Sequence, residues 1–366
     1  MRILHTEASC GWGGQEIRIL SESGGMIERG HAVSLACPPH APIAREAPAH
    51  GVRVLPLPIE KKRPGGLLAM RALLARERFD VVNTHSSTDA WLVALACSSL
   101  RGAPPMVRTR HISAPVAASA PNRWLYASAS RFVVTTGQAL RDELVERLGC
   151  DPARVVSVPT GIDEVRFAPG DALEARGALG LPPERFIVGI AATLRSWKGH
   201  RYLVDAVGSI DDPSLLLVVI GDGPQRDALE RQVADAGLQA RVRFVGQQAD
   251  VAPWLRALDV FALPSYANEG VPQALMQAMF TGLACVTTAA GAIGEIAHAE
   301  RTALVVPGQD AHALAAAIER LRADPALRRR LGDEARAGCL AGLTRVRMLD
   351  RMEAVFAAAV AGRSLS

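Results

Sequence analysis

Ala267-Asn268-Glu269-Gly270-Val271-Pro272-Gln273-Ala274-Leu275-Met276-Gln277-Ala278-Met279-Phe280-Thr281-Gly282 follows a short apolar run, Asp259-Val260-Phe261-Ala262-Leu263-Pro264, that proline stops. The run reads as a buried strand. The longer stretch reads as a loop and then a helix, opening with Pro272 at its first position and ending at Gly282. Leu275 with Met279, and Met276 with Phe280, recur at four residues and mark the helix's buried side. Gln273, Gln277 and Thr281 recur at the same spacing as a polar stripe. Glutamines in an otherwise apolar helix either face solvent or need partners. The loop carries one carboxylate, Glu269, followed by a glycine. Such a strand–loop–helix unit aims backbone N–H groups and a helix N-terminus at whatever fills the crevice beyond the strand ends.

The same alternation runs through the chain. Strands are expected at Arg2–His5, Ala32–Cys37, Val52–Leu55, Phe79–Asn83, Phe132–Thr135 and Val155–Val158, with helical segments between them. It restarts at Phe186–Ala192 and continues through Leu215–Ile220, Val242–Val245, Val260–Leu263, Ala284–Thr287 and Ala303–Val306. Strands alternating with helices predict an α/β fold with mostly parallel sheets. The Pro/Gly-dense segment from Pro159 to Gly170 and the polar run Asp171–Arg176 mark a linker. Two Rossmann-like domains follow, residues 1–165 and 166–344. The remaining 345–366 contain an alanine-rich amphipathic helix, about Arg345 to Ala361.

Composition bounds the rest. At 366 residues, 49% hydrophobic but only 4% aromatic, the chain has room for two aliphatic cores. A net charge of +4 is too weak to argue for nucleic acid as a partner. Lys61, Lys62 and Lys198 are the only lysines in a chain that otherwise uses arginine. The six cysteines are scattered, without Cys-x-x-Cys or a zinc-like spacing. With no apolar run near 18 residues and no charged-then-apolar leader, a cytoplasmic protein without a membrane span is expected.

Polar residues gather at strand ends, where open parallel sheets bind ligands. Gly11-Trp12-Gly13-Gly14-Gln15-Glu16 after the first strand suits phosphate at a helix start, or equally a tight turn. His85 and His111 end two later strands, as site residues or as loop caps. Leu194-Arg195-Ser196-Trp197-Lys198-Gly199 places a planar fork and a compact cation three residues apart before a helix, a set that can hold a diphosphate. Gly221-Asp222-Gly223-Pro224 is another strand-end turn. Lys61, Lys62 and Arg63 stand before an apolar helical segment, as a solvated loop or a membrane-surface patch.

The 259–282 stretch resembles the signature of the retaining glycosyltransferases of family 4, which have the GT-B fold: Glu, seven residues, Glu. Glu269 matches the first position, Gly270 and Pro272 match the loop, and Gln277 stands where the second glutamate is expected. Residues 159–167, with Gly161, and 193–200 also match. The resemblance implies two domains facing a central cleft, the first on the acceptor side and joined by the 345–366 tail, the second holding the donor. It implies transfer of a sugar from a nucleotide diphosphate sugar to a glycan or lipid-linked acceptor, such as lipopolysaccharide, with retention. His111, Arg195, Lys198 and Glu269 would be catalytic. Gly13, Gly14, Gly161, Gly221, Gly223, Gly270, Val271, Pro272 and Gln277 would bind the donor, and Glu16 and His85 the acceptor. No Asp-x-Asp occurs, so neither a metal nor another cofactor is expected. The rivals are a GT-B epimerase, a phosphorylase (short of a lysine for pyridoxal phosphate), and a non-catalytic nucleotide-sugar binder suggested by Gln277.

Overall fold

A computed structural model describes residues 1–112 and 115–365. The chain divides into two compact units, Met1–Gly161 with Arg345–Ser366, and Ile162–Thr344. The division falls after Gly161 rather than after residue 165. The Ile162 N–H donates to Leu343 O at 2.9 Å, which places the turn that follows in the second unit.

In the first unit the order is β1 (Arg2–Thr6), α1 (Gly14–Glu28), β2 (Ala32–Cys37), α2 (Pro42–Glu46), β3 (Arg53–Pro56), α3 (Pro64–Arg76), β4 (Val81–Thr84) and α4 (Ser87–Ser98). Then come β5 (Met106–Arg110), α5 (Ala120–Arg123), β6 (Ser130–Thr135), α6 (Gln138–Leu148) and β7 (Val155–Ser157). The sheet runs β3-β2-β1-β4-β5-β6-β7, parallel throughout.

The second unit holds α7 (Ala172–Leu179), β8 (Phe186–Ala191), α8 (His200–Ser209), β9 (Leu215–Ile220), α9 (Arg226–Asp235), β10 (Val242–Gly246) and α10 (Ala252–Arg256). It continues with β11 (Val260–Leu263), α11 (Gln273–Phe280), β12 (Ala284–Thr287), β13 (Leu304–Val305), α12 (Ala311–Ala323) and α13 (Pro325–Gly342). Its sheet is parallel, in the order β10-β9-β8-β11-β12-β13. The last helix, α14 (Arg345–Ala361), belongs to the first unit.

The sequence explains these layers. β9 is Leu-Leu-Leu-Val-Val-Ile and every residue is buried, as a parallel strand covered by helices on both faces requires. α14 seats Met348, Leu349, Met352, Val355 and Phe356 in the first core. In the second unit α11 starts at Gln273, with Pro272 as its extended N-cap at φ −72 and ψ 124, and ends at Phe280. Pro272 therefore precedes the helix instead of opening it. The polar stripe is not a solvent face either: Thr281 is buried, its Oγ1 donating to Gln277 O at 2.9 Å.

Candidate active site

In the second sheet the strand order reverses between β8 and β11, and ligands of open parallel sheets bind beyond the strand ends at such a switch. Lys198 follows β8 and Glu269 follows β11. Their side chains meet there, Nζ donating to Oε1 at 2.5 Å, with Lys198 21% exposed and Glu269 6%. The two loops are also tied through the backbone, the Tyr266 N–H donating to Trp197 O at 2.9 Å. Asn268, just before Glu269, takes a φ of 59, a left-handed conformation that asparagine tolerates better than most residues. The loop after β12 braces the same point. Gly291 has a φ of 57, and a Cβ there would stand 2.0 Å from Glu269 O. A side chain at 291 would push Glu269 out of place.

Arg195 is exposed, its guanidinium 5.7 Å over the Trp197 ring, and among the described residues it has no carboxylate partner. Two cations thus share one counter-charge. The N–H groups of Gly270 and Val271 have no acceptor among the described residues. The half-buried amide of Gln277 likewise makes no side-chain hydrogen bond among them. Gly221 and Gly223 have φ values of 137 and 155, and added Cβ atoms would lie 2.1 Å from Ala192 O and 2.8 Å from Leu194 N. Their bareness lets the loop after β9 lie against the loop that leads to Arg195. His200 opens α8 beside Lys198, with both ring nitrogens buried and, among the described residues, without a hydrogen-bond partner. Burial and the Lys198 charge lower its pKa to about 3.

The first sheet reverses between β1 and β4, and there a row of histidines forms across neighbouring strand ends. His5 Nδ1 lies 2.8 Å from His85 Nε2, and His85 Nδ1 lies 2.9 Å from His111 Nε2. Burial, helped by the Arg18 charge, lowers the pKa of His5 to about 3. His85 and His111 are likewise held well below the usual imidazole range, chiefly by burial. Neutral rings are what such a row needs, since each link joins one donor to one acceptor. Beyond His5 lies Glu22, 4.0 Å from Nε2 and 3.6 Å from the Arg18 guanidinium. Asp89 fixes the turn at His85, accepting from Thr6 Oγ1 at 2.6 Å and the His85 N–H at 2.9 Å.

Of the other expected residues, Glu16 is buried with its carboxyl raised by that burial, and Gly13 is the extended N-cap of α1, one residue before Gly14. The Gly161 N–H lies 3.0 Å from Met348 Sδ of α14. Lys61, Lys62 and Arg63 are all exposed, with Lys62 Nζ 3.3 Å from Ser87 Oγ and 5.7 Å over the Trp91 ring. Sequence reasoning did not find His5, Glu22 or Asp89. Only Asp89 left a signal, the Ser86-x-x-Asp89 spacing of a capping box.

Two parallel doubly wound units, each with polar groups gathered where its strand order reverses, are the architecture of the GT-B fold. A family profile described as Glycosyltransferase Family 4 matches residues 12–166, and one described as Glycosyl transferases group 1 matches residues 171–338. D-inositol 3-phosphate glycosyltransferase 1 of Catenulispora acidiphila is 31% identical over 314 residues, 78% of this chain and 73% of that protein. The chain belongs to glycosyltransferase family 4. An Escherichia coli protein named UDP-Gal:alpha-D-GlcNAc-diphosphoundecaprenol alpha-1,3-galactosyltransferase is 30% identical over 239 residues, 61% of each chain. In fold, the chain is similar to Anabaena HepE solved with UDP-glucose, at TM-score 0.86 and 21% identity over 98% of this chain and 100% of that one.

Proposed function

We propose that this glycosyltransferase moves a hexose from a uridine diphosphate sugar to a hydroxyl of a glycan or lipid-linked acceptor of the cell envelope, such as lipopolysaccharide, with retention at the anomeric carbon. The observation that carries the reading is the Lys198–Glu269 contact at the β8/β11 switch, beside Arg195, which has no carboxylate partner among the described residues. The E. coli relative's name contains a uridine diphosphate sugar, and HepE was solved with one. An incoming diphosphate supplies the counter-charge that this pair of cations lacks. Arg195 offers it a fork and Lys198 a point charge, in the role that a metal ion plays elsewhere. The reaction therefore needs neither a metal nor another cofactor in this reading.

As Lys198 turns to the diphosphate, Glu269 is released to accept hydrogen bonds from the sugar hydroxyls, and the Gly270 and Val271 amides donate to them. Gln277 meets the ribose, and the turns at Gly13, Gly14, Gly161, Gly221, Gly223 and Pro272 approach the donor. His111 is assigned to catalysis in this reading, and His85 and Glu16 to the acceptor. The acceptor oxygen attacks on the face the leaving diphosphate vacates, and its proton passes to the departing phosphate oxygen. The enzyme works in the cytoplasm, peripheral to the inner face of the membrane through Lys61, Lys62 and Arg63. No helix among the described residues is long and apolar enough to cross a membrane.

A panel of nucleotide sugars tested for thermal stabilisation identifies the donor, because a ligand bound only by the folded state raises its stability. Product NMR then reports the anomeric configuration. Stabilisation without hydrolysis or transfer would favour a binding protein, and an inverted product would overturn the retaining mechanism.

A further inference from the structure

The C-terminal ends of β1, β2 and β3 are neighbours in the first sheet, and the loops after them carry Cys10, His40 and Glu60. The three side chains converge. Cys10 Sγ lies 3.4 Å from His40 Nε2, and that nitrogen lies 3.3 Å from Glu60 Oε1. All three ligand atoms fall within 4.8 Å of one another. Around a tetrahedral zinc ion, with Zn–S about 2.3 Å and Zn–N and Zn–O about 2.0–2.2 Å, adjacent ligand atoms stand about 3.3–3.6 Å apart. Two of the three separations therefore already have the span that one ion imposes. We propose that Cys10, His40 and Glu60 bind a zinc ion, with water as the fourth ligand.

The donor set selects the metal. A thiolate, an imidazole and a carboxylate together suit borderline zinc, whereas calcium and magnesium take oxygen ligands. Cys10 is the one cysteine of the six that is exposed; the others are buried or half-buried. His40 and Glu60 are also exposed, so the ion enters without unfolding the unit.

Each loop is stiffened. Pro38, Pro39 and Pro42 flank His40, and the Ala41 N–H donates to Pro38 O at 3.1 Å. Around Cys10, the Ser9 N–H donates to Glu7 Oε1 at 2.7 Å and the Gly11 N–H to Ser9 Oγ at 2.9 Å. Beside Glu60, the Ile59 N–H donates to Leu57 O at 2.9 Å. Preorganised ligands lose little freedom on binding.

On binding, the Cys10 thiol gives its proton to water and its sulfur bonds the ion, with His40 supplying a nitrogen ligand and Glu60 an oxygen ligand. The ion would pin the β1–α1 loop, which carries Gly13, Gly14 and Glu16, to the two loops beside it. Its place is structural: it holds that loop and takes no part in making or breaking the glycosidic bond.

Full-length protein stripped with EDTA is titrated with zinc against a chromophoric chelator, and separately with cobalt(II). One equivalent of zinc should bind and raise the thermal midpoint. Cobalt should give a thiolate charge-transfer band in the near ultraviolet. Cys10→Ser should abolish that band, and Cys10→Ser, His40→Ala and Glu60→Gln should each weaken zinc binding at least about tenfold. No zinc uptake, uptake unchanged in Cys10→Ser, or a cobalt spectrum without the thiolate band would each overturn the proposal. The cobalt spectrum is read on the unaltered chain, so a variant that folds poorly cannot decide the outcome.

Discussion

His200 opens α8 with both ring nitrogens buried and, among the described residues, unpartnered, and its pKa is lowered to about 3, first by burial and then by Lys198. A proton that the unfolded chain accepts near 6.5 is thus refused by the folded one. The sign follows from linkage. As the pH falls below 6.5 the unfolded state binds the proton first, so stability is lost between that value and about 3. Lowering the pH from 7 to 5 should cost about 2 kcal/mol at this one site. In His200→Leu, which keeps an apolar side chain in the same space, that component disappears. His5, His85 and His111 shift in the same direction but are common to both proteins, so they cancel in the comparison. Urea unfolding of parent and variant at pH 7 and pH 5 measures the difference of differences, expected at about 2 kcal/mol in the variant's favour. Equal losses in the two proteins would mean that His200 is not a buried neutral ring, and the reasoning would fail.

Arg195→Ala and Lys198→Ala should each lower turnover more than donor binding, by about 2–4 kcal/mol in barrier, because the diphosphate gains charge as the sugar leaves; near-normal kcat in both sinks the assignment. Gln277→Glu should stay within about tenfold of the parent in either direction, since a carboxamide keeps one acceptor where a carboxylate has two. Gln277→Leu should raise the donor KM clearly, and Glu269→Gln should damage kcat more than either; parent-like kinetics in both of these last two would make α11 merely structural. Replacing Lys61, Lys62 and Arg63 together with alanine should reduce co-sedimentation with anionic vesicles, each charge contributing about 1 kcal/mol; equal binding, or none by either form, rejects a membrane role for the loop.

The layered fold was legible because buried parallel strands are written as unbroken apolar runs, of which β9 is the plainest. Glu269 and Lys198 were legible because each follows such a run, and because lysine is so scarce in this chain. Their mutual contact was not, since the chain separation of 71 residues is closed only by the β8–β11 pairing. His5 stood inside a strand, where nothing local separates a core histidine from a member of a row. The polar stripe of α11 misled in one respect: Thr281 sits at the stripe's spacing, yet its hydroxyl is consumed by the backbone carbonyl of Gln277. Cys10 and His40, 30 residues apart, met only because β1 and β2 lie side by side.

The row from His5 to His111 has a polarity. Each neutral ring carries a single N–H, so once one link has chosen its donor the other must follow, and every N–H along the row points the same way. Burial raises the Glu22 carboxyl; in its ionised form, 4.0 Å beyond His5 Nε2, it favours the arrangement in which the N–H groups point towards it. The far end is then left with a bare lone pair, on Nδ1 of His111. Whether that atom accepts or donates is thus decided at the opposite end of the row, beside Arg18. A change of charge at Glu22 would reach His111 as a reversal of direction, like a compass needle turning when a distant magnet is flipped.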